Sequence, residues 1–221
     1  MLTKIIISLF FLQTIINANL LNDAKNQLQK NNIDAAILLF KKSAREGSDE
    51  ANFELGKIYY FKDYGKKDLD LSFIYFKKAA DYEHQKAKYN LAIIYSQKRF
   101  KNYNLKKAYE LFLSLAKSGY PNAQYMVGIY LLNGFGVDKD YSLAKKWLEE
   151  AYFKNGYEEA SCGIAYIYAN GLGVLQNLGR ARKFSQNYQT KYPLCKNTFL
   201  DFKLYKKKYA KDKGFKFGYY R

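Results

Sequence analysis

The chain has few of the side chains on which most metal and catalytic sites depend. Its 221 residues include one His, two Cys, two Pro and one Trp. A single His excludes His-rich metal sites and most His-based acid–base schemes. Two Cys exclude a four-Cys zinc site and a dense disulfide framework. We therefore expect no metal and no cofactor.

The charge balance is strongly basic, with 37 Lys and Arg against 20 Asp and Glu and a formal net charge of +17. Arg supplies only five of the basic residues, and Lys, Asn, Ile, Tyr and Phe, all abundant here, have A/T-rich codons. A biased genome therefore accounts for much of the charge. Recognition surfaces for nucleic acids favour Arg, whose planar fork pairs with phosphate, so we expect no nucleic-acid partner. An acidic protein face or an anionic envelope polymer is the expected partner.

Residues 1–18 are typical of a secretory signal peptide. Lys4 supplies the positive charge, residues 5–16 form the apolar core, and Ile16-Asn17-Ala18 is a cleavage site that ends in a small residue. The apolar stretch is shorter than the roughly 20 residues that a membrane span needs, and an uncleaved anchor is the alternative. We expect cleavage after Ala18, no transmembrane segment after cleavage, and a bacterial protein that is periplasmic or secreted.

A repeat of about 36 residues organises the rest of the chain. Four similar segments begin 36, 36 and 37 residues apart, at Ala51, Ala87, Ala123 and Ala160. A second set of small residues repeats with the same period: Ala36, Ser72, Ala108, Ala144 and Ala181. Four residues before each of them stands an Asn or Asp, in order Asn32, Asp68, Asn104, Asp140 and Asn177. Asn and Asp are preferred N-caps of helices. The pattern predicts two antiparallel helices per repeat, A then B, with small Ala and Gly side chains where the helices approach closely.

Glycine-containing loops join the A and B helices of the last two repeats. They read Asn133-Gly134-Phe135-Gly136-Val137 and Asn170-Gly171-Leu172-Gly173-Val174, and glycine suits the positive φ angles of such turns. A dinucleotide-binding loop would need a preceding strand and a third Gly, so we exclude that interpretation. The first two repeats carry residues 61–65 and 96–100 in place of this loop.

The segments Ala-Gln-Tyr-x-x-Gly-x-Tyr, Asn-Gly-x-Gly-Val-x-x-Asp and Ala-x-x-Trp-Leu-x-x-Ala resemble the Sel1-like repeat, a relative of the tetratricopeptide repeat. The resemblance covers four units, at 49–84, 85–120, 121–157 and 158–193. A degenerate half-repeat at 19–48 precedes them as a cap, and a basic aromatic cap and tail at 194–221 follows. The resemblance implies an α-solenoid that binds other proteins or envelope components. The double 36-residue register predicts an all-α, right-handed solenoid of helical hairpins. The signal segment, the repeats and the absence of a convincing catalytic set lead us to expect an exported, non-enzymatic scaffold or adaptor.

One exported, cysteine-rich branch of this family is described as penicillin-binding or β-lactamase-like, and a hydrolase of that kind is the enzymatic alternative. This chain lacks the cysteine pattern of that branch. Its Ser-x-x-Lys matches, Ser114–Lys117 and Ser142–Lys145, are no more numerous than chance predicts, and no Ser-Asp-Asn partner motif is present. His84 falls in a turn between repeats and is expected to be solvated. We name no catalytic residue.

The A helices of tetratricopeptide-like pairs line the concave face. Counting two and six residues from each leading Ala gives a candidate binding surface of Phe53, Lys57, Tyr89, Ile93, Tyr125, Ile129 and Tyr166, with Cys162 as its remaining position. The aromatic residues either form a row that anchors a partner or pack against the next repeat.

Cys162 and Cys195 are expected to form a disulfide. Cys162 lies near the start of the fourth A helix, and Cys195 lies just past the end of the fourth B helix, after Pro193. These two ends are adjacent in an antiparallel pair, so the two Cα atoms can come within bonding range. Two separate buried thiols are the alternative if the protein stays in a reducing compartment.

Overall fold

The computed structural model describes residues 17–186, and every regular element in that range is helical. A first helix, α1, covers residues 17–29 of the described part. The others are α2 (Ile33–Arg45), α3 (Asp49–Tyr60), α4 (Leu69–Asp81), α5 (Gln85–Tyr95), α6 (Leu105–Lys117), α7 (Pro121–Asn133), α8 (Tyr141–Glu149), α9 (Ala160–Asn170) and α10 (Leu178–Gln186). A π-helical turn, Glu150–Lys154, extends α8. The predicted all-α fold is confirmed.

The helices alternate as the repeat register predicts. The A helices are α3, α5, α7 and α9, and the B helices are α2, α4, α6, α8 and α10. The chain divides into two compact units between Tyr103 and Asn104, in the loop between α5 and α6, which lies inside the repeat predicted at 85–120. Within each unit, helices α2 to α5 and α6 to α10 each pack on the next helix along the chain. The A helices α3 and α5, and likewise α7 and α9, also contact each other.

Small residues on the A helices make room for large ones on the B helices. Gly56 of α3 faces Phe76 of α4, and a Cβ atom at Gly56 would lie 2.5 Å from that ring. Gly128 of α7 faces Leu148 of α8, and a Cβ atom there would lie 2.6 Å from the Leu148 side chain. Phe76 and Leu148 are fully buried, and each contributes about 1.5–3 kcal/mol by its burial. The predicted close approach of the two helices is confirmed at both positions.

Four of the five predicted N-caps are confirmed. Each of these side chains accepts a hydrogen bond from the backbone N–H three residues later, at 2.8 or 2.9 Å; they are Asp68, Asn104, Asp140 and Asn177. Asn32 stands at the N-cap position of α2, as predicted, but its side chain makes no capping hydrogen bond. Its backbone has φ −84° and ψ 69° rather than the extended conformation that suits an N-cap, and its carboxamide donates to Gln27 at 2.9 Å instead.

The loop between α7 and α8 depends on its two glycines. Gly134 has φ +73° and Gly136 has φ +67°, both in the left-handed region. A Cβ atom at Gly136 would also lie 2.4 Å from the backbone of Leu105 at the start of α6. In the second repeat, which lacks these glycines, the buried Phe100 ring packs 4.9 Å from Phe73 after the turn.

We expect Gly128→Ala to lower the free energy of unfolding by about 1–3 kcal/mol, because the added methyl group overlaps Leu148 in a fully packed core. Alanine is the better helix former, so propensity alone would predict the opposite sign. Gly179→Ala in α10 is the matched control, since its Cβ atom would lie 3.4 Å from the nearest group, Asn177 Oδ1. Urea unfolding followed by far-UV circular dichroism measures both. A Gly128→Ala variant as stable as the parent would contradict the packing argument.

Candidate functional site

The residues predicted to line a binding face differ in how accessible they are. Phe53 and Tyr125 are only 7% and 5% exposed, and Ile129 is fully buried. The half-buried members are Lys57, Tyr89, Ile93 and Tyr166. Three of the seven side chains are therefore enclosed by their own unit and do not offer surface to a partner.

The contacts of Phe53 and Tyr125 fit the packing alternative. Phe53 stacks on the His84 ring with 4.5 Å between ring centroids, and it lies 5.8 Å from Phe76. Tyr125 lies 5.3 Å from Tyr157. His84 and Tyr157 each precede the A helix of the next repeat within their unit. These aromatic rings therefore pack on the residues that lead into the next repeat.

His84 is not the solvated turn residue that the sequence predicted, since its side chain is only 12% exposed. Its Nδ1 atom accepts a hydrogen bond from the Ala87 backbone N–H at 3.1 Å and so caps α5. Since Nδ1 is the acceptor, Nε2 carries the proton and donates to the Glu50 carboxylate, 3.1 Å away. Glu50 also accepts from Lys25 Nζ at 2.9 Å. The prediction failed because Glu50 is 34 residues from His84 in sequence.

The Glu50 carboxylate is held in its charged form. Partial burial raises its pKa, but the hydrogen bonds from Lys25 and His84 outweigh burial, and the net pKa lies below the ordinary value for Glu. The ion pair ties α1 to α3, and the histidine ties α3 to α5. The cluster is thus a structural link within the first unit.

The side chains considered for hydrolysis are not assembled into a catalytic set. Ser114 and Ser142 are both exposed on their helices. Lys145, the partner of Ser142 in its motif, instead pairs with Glu149 at 2.7 Å. Among the residues that the structure describes, no three His, Cys, Asp or Glu side chains come together as metal ligands could.

Cys162 lies in the first turn of α9 and is fully buried. Cys195 lies outside the described residues, as do most of the signal segment and all of the predicted tail at 194–221. The disulfide between Cys162 and Cys195 therefore stays a prediction.

A basic cleft in the first unit was not found from the sequence. It has a volume of about 300 Å³ and lies between α2, α3 and α4. We call it the basic cleft and define it by its lining residues, Lys41, Ala44, Arg45, Asn52, Tyr75 and Lys78. None of these is acidic, and within the described part of the chain none of the three cations pairs with a carboxylate. Lys41 and Arg45 share one face of α2, a spacing that could have signalled the site.

Two less exposed residues give the basic cleft a fixed shape. Tyr75 stacks on Tyr59 with 5.7 Å between centroids and 6° between planes, and Lys78 Nζ lies 5.7 Å from the Tyr75 ring. Asn52 is 4% exposed, and its Nδ2 atom donates to the Ser48 carbonyl at 2.9 Å. Among the described residues no protein group donates to Asn52 Oδ1. The cleft thus offers three cations and one hydrogen-bond acceptor.

The helical hairpins, their register and their glycine-spaced packing define an all-α repeat protein of the solenoid class. The chain belongs to the Sel1 repeat family, whose family model matches residues 25–48, 49–81, 85–120, 121–152 and 158–186. The match includes residues 25–48, so the segment interpreted as a degenerate half-repeat is also similar to the family. The helical scaffold of this family fits a role in protein–protein interaction.

Solved structures are similar in fold. A Sel1 repeat protein from Oxalobacter formigenes has a TM-score of 0.66 at 23% identity, over 80% of this chain and 69% of that one. A protective antigen of uropathogenic Escherichia coli with an SLR fold has a TM-score of 0.65 at 24% identity, over 74% of this chain. This chain spans only 35% of that antigen. A Sel1 repeat protein from Klebsiella pneumoniae has a TM-score of 0.52 at 14% identity, over 86% of this chain and 93% of that one.

None of the curated proteins is significantly similar to the chain. In the part of the chain that the structure describes, no helix has both the length and the apolar character needed to cross a membrane.

We expect Glu50→Gln to lower the free energy of unfolding at neutral pH. The variant should also lose less of that free energy than the parent does as the pH falls. A carboxylate whose folded-state pKa is depressed stabilises the fold above its ordinary pKa of about 4.3, and this contribution is lost as pH falls through the lowered value. Urea midpoints measured from about pH 7 down to about pH 3 show the effect. Asp81→Asn, which removes an exposed ion pair with Lys77, is the control and should change little. Parallel profiles for Glu50→Gln and the parent would refute the assignment.

We expect Cys162 and Cys195 to be joined in the exported protein. Alkylation of the denatured, unreduced protein should then label neither thiol, and labelling after reduction should reach both. A bond that closes this loop stabilises the last repeat by about 3–4 kcal/mol in the chain-entropy model. Cys162→Ser should therefore lower the unfolding midpoint of the unreduced protein, whereas the reduced parent should match the variant more closely. Two labels taken up without reductant would contradict the bond and weaken the case for export.

Proposed function

We propose that this Sel1 repeat protein is an exported, non-enzymatic scaffold that binds an acidic partner in the bacterial envelope. The observation that carries the proposal is the basic cleft, which Lys41, Arg45 and Lys78 line together with no acidic residue in the lining. Complementary potentials speed encounter and select the partner, so a cationic cleft favours an acidic surface. The net charge of +17 acts in the same direction at longer range.

The signal-like sequence of residues 1–18 supports export, and the contacts of α1 are compatible with cleavage. Cleavage after Ala18 would remove Asn17, whose side chain accepts from the buried Ser43 hydroxyl. The contacts that hold the rest of α1 lie further along the chain. Ala24 is fully buried in the core of the first unit, and Lys25 pairs with Glu50. The remaining helix therefore keeps its anchoring contacts.

Fractionation and cross-linking in the cells that produce the protein test this function. We expect the protein in the envelope fraction with Asn19 as its first residue, as N-terminal sequencing or intact mass would show. Cross-linking should capture a partner with an acidic surface, and the yield should fall as salt is raised, because salt screens exposed charges.

Two results would overturn the proposal. One is an unprocessed chain in the cytoplasm. The other is turnover of a chromogenic β-lactam by the purified protein, because a non-enzymatic scaffold has no such activity. Ser114→Ala and Ser142→Ala variants would then show whether either Ser-x-x-Lys match is responsible.

A further inference from the structure

We propose that the basic cleft binds a short extended segment of a partner protein that carries adjacent carboxylates next to an apolar side chain. This inference rests on the proposed function, because it names the chemistry of the partner that the scaffold takes. Four features of the cleft support it in turn: its unpaired cations, its free acceptor, its fixed aromatic ring and its exposed apolar neighbours.

The cations of the basic cleft differ from many other lysines of the first unit in making no ion pair with a carboxylate of the described residues. Ion pairs to Asp or Glu are made by Lys25, Lys57, Lys66, Lys77, Lys88 and Lys101. Lys41, Arg45 and Lys78 instead line a common space without a counter-charge. Like charges held close together repel, and adjacent carboxylates of a ligand would relieve that repulsion.

The Asn52 carboxamide distinguishes a peptide from a phosphate ligand. Its Oδ1 atom is an acceptor in a residue that is 4% exposed, and no described protein group donates to it. Deprotonated phosphate oxygens are acceptors as well, so they would be repelled by Oδ1. A peptide brings backbone N–H donors together with its carboxylates, and one N–H can complete the hydrogen bonding of Asn52.

Apolar residues flank the basic cleft on the same helices. Leu38 is 70% exposed and lies one turn before Lys41 on the same face of α2. Tyr82 is 63% exposed and lies one turn after Lys78, at the C-cap of α4. The stacked Tyr59–Tyr75 pair keeps the aromatic wall in place before a ligand arrives, which lowers the entropy lost on binding. An apolar side chain beside the carboxylates would contact this rim.

Fluorescence anisotropy with a labelled peptide, Gly-Ser-Leu-Glu-Asp-Glu-Gly-Ser, tests the assignment on the purified protein. We expect Lys41→Gln, Arg45→Gln and Lys78→Gln each to weaken binding by about 3- to 10-fold, the effect of losing one charge-assisted contact. Lys42→Gln on α2 and Lys86→Gln on α5 are the controls. They make the same charge change at exposed lysines of the first unit that have no ion pair in the described part of the chain and lie outside the lining of the cleft. Each control should change the Kd by less than about 2-fold.

Asn52→Ala separates a peptide from a simple anion. We expect this substitution to weaken peptide binding by about 3- to 10-fold, because an N–H donor of the peptide loses its acceptor. Binding of inorganic pyrophosphate should be no weaker than in the parent. Changing the Leu of the peptide to Ser should also weaken binding. Circular dichroism and thermal unfolding confirm that each variant is folded. If Asn52→Ala does not fold, the three cation variants and the altered peptide still decide the outcome.

Three results would overturn the cleft assignment. The first is that the peptide does not bind, and the second is that the cleft variants and their controls lose affinity equally. The third is that pyrophosphate binds as tightly as the peptide and that Asn52→Ala weakens neither ligand. The second result would mean that only net charge attracts the peptide. If the assignment fails while the wild-type protein still captures an acidic envelope partner, the scaffold function stands and only the cleft is wrong. An unprocessed cytoplasmic chain would instead refute the proposed function, whatever the cleft binds.

Discussion

Close approach of neighbouring helices is the constraint on which each unit of this protein depends. In the second unit the buried Leu148 of α8 lies between two glycines, Gly128 of α7 and Gly163 of α9, and a Cβ atom at either would come within 2.8 Å of its side chain. One B-helix side chain therefore fills the gaps left by two successive A helices. Because protein interiors are close-packed, this arrangement sets the distance between the two helices of a hairpin and also the distance between neighbouring hairpins.

Once the helices are this close, aromatic side chains in the first half of two A helices are used for packing on the residues that lead into the next repeat. Phe53 stacks on His84, and Tyr125 packs on Tyr157. A polar contact accompanies the second pair, since Asn155 donates to Gln124 at 2.8 Å. Two aromatic residues of the predicted A-helix row, Phe53 and Tyr125, are therefore buried in packing contacts. The three cations of the basic cleft are not among the side chains used in this packing.

For selective binding, the arrangement of the basic side chains matters more than the total charge of the protein. A net charge of +17 attracts any polyanion in low salt, and screening removes most of that attraction beyond about 10 Å. Most lysines with a nearby carboxylate are neutralised locally, as Lys57 is by Glu54 at 2.8 Å. The basic cleft is different because α2 and α4 bring three cations into one space and the intervening α3 adds no acid to it. Specific recognition requires that convergence, which a composition does not reveal.

The sequence by itself determined the helices, their order, their pairing, four of the five predicted caps and the glycine loops. These features depend on residues a few positions apart or on a period of 36, so their signals are local or repeated. Only the tertiary structure decided what His84 and Phe53 do, and where the cations meet. His84 is ordered by Glu50, 34 residues earlier. The basic cleft joins residues of three helices, from Lys41 to Lys78. Such contacts arise only when the helices have packed, because non-local neighbours are set by the spacing of the whole hairpin rather than by the residues beside them.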